Sequence, residues 1–302
     1  MKKRSGIPES RGYRFFQVCN YLFMTILAVL CILPMVNVLA ISFSSSLTVS
    51  AGKVNLWPVD FSLQSYKFVF ENKAFWRSMG VSIQRIVLAG GIGLVLTIIT
   101  SYPLSRDTRS FKARTKYVWF IFFTMLFSGG LIPGYLMVHW TGLMNSIWAL
   151  VIPGAISPWN CILMLNFFRQ LPKELEEAAL LDGAGHWTIL WRVVVPISKP
   201  VIATVLLFIV VGHWNDWFGG YLYMSSARKY PMQTYLYSLI NIDITQITKY
   251  VTDPDAIRML GQVNNRTLSA AQIFVGALPI LMVYPFLQKY FTKGIVLGSV
   301  KE

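Results

Sequence analysis

Five windows of this sequence contain no charged residue, and they constrain the fold more than any other feature. Asp, Glu, Lys and Arg are absent from residues 15–52, 86–105, 117–168, 200–215 and 267–288. A helix needs roughly 20 apolar residues to cross the hydrocarbon core of a bilayer, so each window is long enough or nearly so. Charged residues make up 13% of the chain, against about 25% in an ordinary soluble domain. The pattern predicts an all-α membrane protein.

The window 117–168 is too long for one helix, and it contains a break. Thr141, Gly142 and Asn145 are turn residues in the middle of it. We therefore predict six transmembrane helices in a single domain that covers residues 15–290. Their approximate bounds are 15–43, 80–104, 117–138, 146–168, 198–218 and 268–290. The first is a retained helix, because its apolar run exceeds the roughly 7–15 residues of a signal peptide.

The distribution of Lys and Arg predicts that the N-tail 1–14 and the C-tail 291–302 are both cytoplasmic. The segments assigned to the inner side carry 17 basic residues and those assigned to the outer side carry nine, although the two long outer loops are longer than the inner ones. Basic residues beside membrane helices favour the cytoplasmic face. The net charge of +14 is therefore explained by topology and contact with anionic lipid, with no need for nucleic acid.

Two glycine-rich runs interrupt the predicted helices. Gly90-Gly91-Ile92-Gly93 favours close packing between helices, because nothing polar follows it as in a phosphate loop. The run 127–134 contains Gly129, Gly130 and Pro133 and predicts a kink or a break in the third helix. Backbone groups freed at that depth need protein or water as partners. Either the third helix lines the interior or a wet path, or it carries a packing kink.

The predicted insert 169–199 is the only sizeable loop on the cytoplasmic side of the predicted topology. Pro172 and three nearby glutamates favour a helix over 173–181, with Gly183 as a left-handed residue after its end. Leu175, Ala178, Ala179 and Leu181 are compatible with one apolar face of that helix. A helix so short is unstable alone in water, so it packs on its own protein or on a soluble partner.

The insert resembles the EAA loop of permease subunits in bacterial ABC importers. That pattern is Glu-Ala-Ala, three residues, Gly, nine residues and Ile-x-Leu-Pro. The matching positions here are Glu177, Ala178, Ala179, Gly183, Val193, Val195 and Pro196, with Val in place of Ile and of Leu. Asp182-Gly183-Ala184 resembles the version found in carbohydrate importers. Further stretches similar to sugar permeases are 127–133, Trp214-Asn215-Asp216, 288–294 and 298–301, the first of them resembling the lipoprotein-type, polysaccharide–oligosaccharide branch.

The resemblance implies one half of a type I importer in the bacterial cytoplasmic membrane. Two permease halves, usually non-identical in sugar importers, form the path, and two cytoplasmic ATPase subunits each receive one EAA helix. An extracytoplasmic sugar-binding protein delivers the substrate. The chain has no GxxxxGK[ST] sequence, so we expect it to bind no cofactor and to be no enzyme, with ATP and Mg on the partner ATPase. The residues implied in coupling are Glu177, Ala178, Ala179, Asp182, Gly183, Ala184 and Pro196.

Candidates for the substrate path are Trp214, Asn215 and Asp216, together with Gly129 and Gly130. Asp216 lies about 24 Å along the fifth helix from Pro200, at 1.5 Å per residue. An ionisable residue at such a depth is a functional candidate. The alternative is that Trp214 is an interfacial residue and that Asp216 caps the helix or orders a subunit contact.

Three other functions remain open from the residues alone. The first is a permease for another solute, since the EAA loop is shared among importers. The second is an ion-coupled carrier, which generally needs ionisable groups inside the membrane. Here Arg85, His139, His213 and Asp216 are near it, and each is near a predicted helix end. The third is a membrane enzyme, which would need a His/Asp/Glu cluster. Three scattered histidines and three cysteines within apolar runs predict no metal site.

Overall fold

The computed structural model describes residues 11–240 and 264–299, with side chains for residues 12–238 and 264–282. Residues 1–10, 241–263 and 300–302 lie outside that description, and with them most of the predicted N-tail 1–14 and the end of the predicted C-tail 291–302. Within the described residues every regular element is helical, and an isolated bridge joins Ser44 and Phe61. The all-α prediction is confirmed for this part of the chain.

The helices follow one another closely along the chain. The first eight are α1 Arg11–Ser42, α2 Ser46–Ser50, α3 Gln64–Glu71, α4 Lys73–Ser105, α5 Arg114–Leu126, α6 Leu131–Trp140, α7 Trp148–Val151 and α8 Pro158–Arg169. The others are α9 Glu174–Leu181, α10 His186–Ile189, a π-helical turn Leu190–Val194, α11 Val195–Ile197, α12 Lys199–Asn215, α13 Phe218–Tyr223, a 3₁₀ turn Ala227–Lys229, α14 Met232–Ile240 and α15 Asn265–Ser299.

The chain forms two compact units. One contains the described residues up to Glu71 and the first part of α15 to Phe274. In this unit Ala40, Val49 and Val54 form a small core beside the end of α1, and the ring of Phe43 stacks on those of Phe61 and Tyr66. Most of α1 itself is exposed, as expected of an apolar helix that meets lipid or another chain.

The second unit begins at Asn72, includes α4 to α14 and takes up α15 again at Val275. Its core forms where α4 packs against α8 and α12. Ile98 and Tyr102 of α4 meet Met164 and Phe168 of α8, and Val201 and Val205 of α12. Ile189, Leu190 and Val194 enter the same core from the segment that follows α9. The predicted cytoplasmic insert is therefore continuous with the packed interior of this unit.

In the described part of the chain, two helices are each long and apolar enough to cross a membrane. They are Gly12–Ser42 and Lys73–Ser105. Two bent pairs also qualify if each is counted as one membrane crossing. They are Arg114–Leu126 with Leu131–Trp140, bent by 114°, and His186–Ile197 with Lys199–Asn215, bent by 84°.

The break predicted in the third helix is confirmed. α5 ends at Leu126 and α6 begins at Leu131, and Gly130 between them has φ +89°. This left-handed region is open to glycine, whereas a residue with a Cβ is disfavoured there. Local chemistry alone therefore gave the right position for the bend.

The fourth predicted helix, 146–168, is not continuous. α7 ends at Val151, and α8 begins only at Pro158. Pro153 lacks an N–H and disfavours helix in the residue before it. The Oγ of Ser157 then caps α8 by accepting a hydrogen bond from the Asn160 N–H at 3.4 Å, with Pro158 in the first turn. Absence of charge predicted the apolar stretch, but these local signals broke the helix.

Candidate functional site

The helix at the centre of the EAA-like insert is α9, Glu174–Leu181, which agrees with the predicted 173–181. Glu174, Glu176 and Glu177 occupy its first turn. Negative charge at this end is favourable because the free N–H groups and the helix dipole make the N-terminus electropositive.

α9 ends in a Schellman motif centred on Gly183. The N–H of Ala184 donates to the carbonyl of Ala179 at 2.9 Å, and the N–H of Gly183 donates to that of Leu180 at 3.0 Å. Gly183 has φ +79°, as predicted, and a Cβ built there meets nothing within 4 Å. A side chain would have room here, so glycine is favoured because of the positive φ and not because of crowding.

The predicted single apolar face of α9 is split between two sides of the helix. Ala179, with Ala184 after it, packs inward against the core of α4, α8 and α12. Leu175 and Leu181 point outward and are 44% and 89% exposed. The prediction grouped Ala179 with the leucines because sequence spacing alone does not tell which side of a helix meets the protein. α9 therefore has an attached side and an uncovered apolar side.

Two ion pairs join α9 to the loop after α4. The guanidinium of Arg106 pairs with the Glu176 carboxylate and lies over the Tyr102 ring, 4.0 Å from its centroid. The Lys173 Nζ donates to Asp107 Oδ2 at 2.8 Å. This hydrogen bond lowers the pKa of the Asp107 carboxyl and raises the pKa of Lys173. Both groups of the second pair are well exposed, so solvent screens their attraction.

A cavity of about 580 Å³ separates the inner side of α9 from the end of α4. Tyr102, Arg106, Glu176 and Leu180 are among the residues that line it. Close packing is therefore interrupted here, and the pair between Arg106 and Glu176 bridges the gap.

The second half of the insert runs directly into the membrane-type helix α12. Val193 and Val195 are partly buried and Val194 is buried, so the apolar positions of the EAA-like motif contribute to the core. Pro196 lies in α11 and is exposed. The chain then turns by 84° at Ser198 to begin α12. This short segment therefore joins the insert directly to α12.

Asp216, a predicted path residue, lies where α12 ends and is paired with Arg85 of α4. Arg85 Nη2 donates to Asp216 Oδ2 at 2.5 Å, and its Nη1 donates to the Asp216 carbonyl at 3.1 Å. The second carboxylate oxygen accepts from the Gly219 N–H at 2.9 Å. The Asp216 side chain thus holds the backbone just after α12, which is compatible with the capping role that the sequence left open. Arg85 was assigned no partner from the sequence, because 131 residues separate the pair.

The other predicted path residues are dispersed. Trp214 is buried, 4% exposed, and therefore no interfacial residue of this chain, whereas Asn215 is exposed. Gly129 and Gly130 are exposed at the break between α5 and α6. No contact in the described residues gathers these positions into one site.

Asp216 does line a second cavity, of about 420 Å³, between α4, the broken segment before α8, α12 and α13. Trp159, Asn160 and Tyr223 line it as well, and sequence reasoning missed all three. The available signal was Pro153-Gly154 with Ser157-Pro158, since a broken helix at membrane depth needs a cavity or protein around it. In the described part of the chain no group of three His, Cys, Asp or Glu residues is placed to hold a metal ion.

Comparisons with known proteins identify the family of this chain. Residues 115–296 match the family model described as "Binding-protein-dependent transport system inner membrane component". Protein LplC of Bacillus subtilis is 42% identical over 293 residues, which cover 97% of each chain. The polygalacturonan/rhamnogalacturonan transport system permease protein YtcP of Bacillus subtilis is 36% identical over 294 residues, covering 95% of this chain and 99% of that protein.

A solved structure is similar over nearly the whole chain. It is the crystal structure of a bacterial ABC transporter involved in the import of the acidic polysaccharide alginate, and the matched chain is 31% identical. The TM-score is 0.84, with 95% of this chain and 100% of that chain covered. Family model, relatives and structure all agree, and the chain belongs to the binding-protein-dependent transport system inner membrane component family.

Proposed function

We propose that this chain is the permease subunit of an ATP-driven importer for a sugar or oligosaccharide. Family membership supports the transport role, and the names of two relatives support the substrate class. YtcP is named for polygalacturonan and rhamnogalacturonan, and the similar structure is a transporter involved in alginate import. A permease for an unrelated solute is less well supported, because these relatives cover at least 95% of this chain.

The proposed topology has six membrane crossings and two cytoplasmic termini, in one domain over residues 15–290. The excess of basic residues on the assigned inner segments supports this orientation. In this topology α1, α4 and α15 are each one crossing, and each of the two bent helix pairs forms one more. The short helices α7 and α8 together form the remaining one. In this arrangement the protein lies in the membrane of a bacterial cell, and α9 is on the cytoplasmic side.

The observation that carries the coupling role is the uncovered side of α9. Leu181 is 89% exposed and Leu175 is 44% exposed, beside the exposed Glu177 and Ala178. Exposed leucines on a helix that is already attached through its opposite side are typical of a docking surface. The proposed occupant is a cleft of a partner ATPase subunit, in which Ala178 allows close approach and Glu177 supplies a polar contact.

The remaining coupling candidates connect this surface to the membrane helices. Asp182, Gly183 and Ala184 end α9 through the hydrogen bonds of the Schellman motif, and Pro196 lies in the segment that turns into α12. When the two ATPase subunits close, α9 moves with them. α4 and α12 then shift between two packed arrangements, and the population of the outward-open state rises.

The partners in this proposal are a second, non-identical permease, two ATPase subunits and an extracytoplasmic sugar-binding protein, with lipid around the assembly. ATP and Mg would be held by the ATPase subunits, and this chain would perform no hydrolysis. Its own contributions are half of the path and one docking helix.

The first experiment isolates the tagged chain from mild detergent and identifies the co-purified subunits by mass spectrometry. We expect a second permease and an ATPase with a P-loop. Leu181→Asp should remove the ATPase but keep the second permease, because it places a charge on the docking surface. Leu47→Asp is the matched control, since Leu47 is 84% exposed on a segment assigned to the outer side. Recovery of the wild-type chain without any ATPase would refute the coupling proposal.

The substrate class is tested by uptake into vesicles that contain the complete importer. The panel consists of galacturonate oligomers, alginate oligomers and maltodextrins, of which the first two are acidic and the third neutral. Uptake of at least one member should require ATP and persist when the proton gradient is collapsed. Uptake that needs the gradient and ignores ATP would instead support an ion-coupled carrier.

A further inference from the structure

The cavity of about 420 Å³ beside Asp216 is formed where one predicted membrane helix is interrupted and another ends. The interruption lies between α7 and α8, and α12 ends at Asn215 shortly before α13 begins at Phe218. Irregular backbone at membrane depth persists where protein or a water-filled space satisfies its polar groups. Substrate sites of membrane transporters form at such discontinuous helices. Both regions line this one cavity, through Pro153 and Gly154 on one side and Asp216 and Gly219 on the other.

In the proposed topology the cavity lies between the middle and the outer side of the bilayer. Asn160 is nine residues before Arg169 along α8, which corresponds to about 14 Å of helix. His213 is 14 residues beyond Lys199 along α12, or about 21 Å. Arg169 and Lys199 both lie at the cytoplasmic ends of their helices in the proposed topology. In a hydrocarbon core about 30 Å thick, these residues lie in its middle and outer parts in that topology.

The lining combines aromatic faces with a few hydrogen-bonding groups. Trp159 is 58% exposed in the single chain, and Tyr223 lines the cavity from α13. Asn160 contributes an amide, and the Nδ1 of the adjacent His213 is buried with no hydrogen-bond partner among the described residues. A sugar ring has apolar C–H faces and a rim of hydroxyls, so it needs this combination.

The volume also suits a sugar. Small-molecule sites occupy roughly 300–1,000 Å³, and a cavity of about 420 Å³ lies in the lower part of that range. The lining charges, Arg85 and Asp216, are paired with each other at 2.5 Å. They give the wall little net charge while keeping the α4 side of the cavity polar.

We propose that this cavity is a sugar subsite of the translocation path within this permease half. Trp159 and Tyr223 contact the C–H faces of one sugar unit, and Asn160 and His213 hydrogen-bond its hydroxyls. The inference rests on the proposed sugar import and adds that this half contacts the substrate directly. Trp214 and Asn215, the path candidates from the sequence, do not line the cavity.

The test uses the complete importer in liposomes, with its partner permease, ATPase and binding protein. The probe is whichever of galacturonate oligomers, alginate oligomers or maltodextrins the wild-type importer accumulates. The quantity measured is the number of sugar molecules accumulated per ATP hydrolysed. Trp159→Ala and Asn160→Ala should each lower this ratio at least about fivefold, because the sugar loses contacts that favour its passage.

Two further variants separate sugar contact from a structural effect. Trp159→Phe keeps an aromatic face and should restore most of the ratio. Trp119→Ala removes an exposed tryptophan of α5 that is outside the cavity lining, and it should leave the ratio unchanged. A wild-type ratio in both Trp159→Ala and Asn160→Ala would overturn the subsite. So would loss of the second permease from the complex in these variants, since the cavity would then be a subunit interface.

Failure of the proposed function is a different result. If the wild-type importer accumulates no member of the panel in an ATP-dependent manner, sugar import fails and the subsite fails with it. If the wild type accumulates a sugar, and Trp159→Ala and Asn160→Ala accumulate as much of it per ATP as the wild type does, the import function stands. The subsite alone is then rejected.

Discussion

The guanidinium of Arg85 donates two hydrogen bonds to Asp216, from Nη2 to Oδ2 at 2.5 Å and from Nη1 to the backbone carbonyl at 3.1 Å. The pair joins the middle of α4 to the end of α12, and the Gly219 N–H holds the second carboxylate oxygen. Arg85 is 3% exposed. The Asp216 carboxylate offsets the free-energy cost of burying this positive charge.

We expect Asp216→Ala to destabilise the protein strongly, because it leaves the Arg85 charge buried and unpaired. The cost should be about 3 kcal/mol, the lower end of the range for breaking a buried ion pair, since the Asp216 side chain is partly exposed. Arg85→Met combined with Asp216→Ala should recover much of the loss. The measurement is the temperature at which half of the detergent-purified protein leaves the monodisperse chromatographic peak. Equal values for the wild type and Asp216→Ala would contradict this role.

The pair also shows where sequence reasoning stopped. The left-handed Gly183 and the break at Gly130 were predictable, because both follow from the chemistry of a few adjacent residues. Arg85 and Asp216 come together only when α4 packs on α12, and nothing local signals that contact. Similarly, the division of α9 into an attached side and an exposed side depends on which neighbours surround it.

The run Gly90-Gly91-Ile92-Gly93 was predicted to allow close helix packing, and the structure shows a close approach at Gly93, to the segment between α7 and α8. A Cβ on Gly93 would lie 3.0 Å from the Ala155 carbonyl oxygen, and one on Gly90 would lie 3.4 Å from a Leu206 methyl. A Cβ on Gly91 would meet nothing within 4 Å. Spacing identified the run, but only the packed helices show which glycines are needed.

These glycines provide a matched pair of substitutions. Gly93→Ala should destabilise the protein by about 1–3 kcal/mol, because the obstructing atom belongs to the backbone and cannot rotate away. Gly91→Ala should be neutral or stabilising by up to about 1 kcal/mol, since alanine favours helix more than glycine does. Thermal unfolding of the two variants side by side gives the comparison. A lower melting temperature for Gly91→Ala than for Gly93→Ala would show that the helices pack differently.

Substitutions at Gly183 test whether the end of α9 matters through backbone conformation. A residue with a Cβ at φ +79° costs about 1–2 kcal/mol, and asparagine tolerates that region better than β-branched residues do. Gly183→Val should therefore uncouple ATP hydrolysis from uptake, whereas Gly183→Asn should remain largely functional. Membrane insertion should be normal in both, because the space around Gly183 is open.

The readout for Gly183 is uptake per ATP hydrolysed, together with the amount of protein in the membrane. Equal coupling in Gly183→Val and the wild type would mean that the Schellman motif is dispensable. Poor coupling in Gly183→Asn as severe as in Gly183→Val would point instead to a steric requirement, imposed by the bound partner.

The ion pair between Arg106 and Glu176 gives the last prediction, because it bridges α9 and the end of α4 across a cavity. If α9 transmits the movement of the ATPase, this pair is a second connection to the membrane helices, beside the chain through Gly183. Arg106→Glu should then place two like charges together and lower uptake per ATP by about tenfold, while the ATPase still co-purifies. Glu176→Arg should act in the same direction, since it opposes two cations.

The double variant Arg106→Glu/Glu176→Arg restores opposite charges at the same two positions, so it should recover a substantial part of the coupling. Asp107→Asn is the control, because it removes the neighbouring pair with Lys173, which is exposed and screened by solvent. We expect it to couple as well as the wild type. A double variant no better than either single one would show that Arg106 and Glu176 act separately, and that the bridge transmits nothing across the cavity.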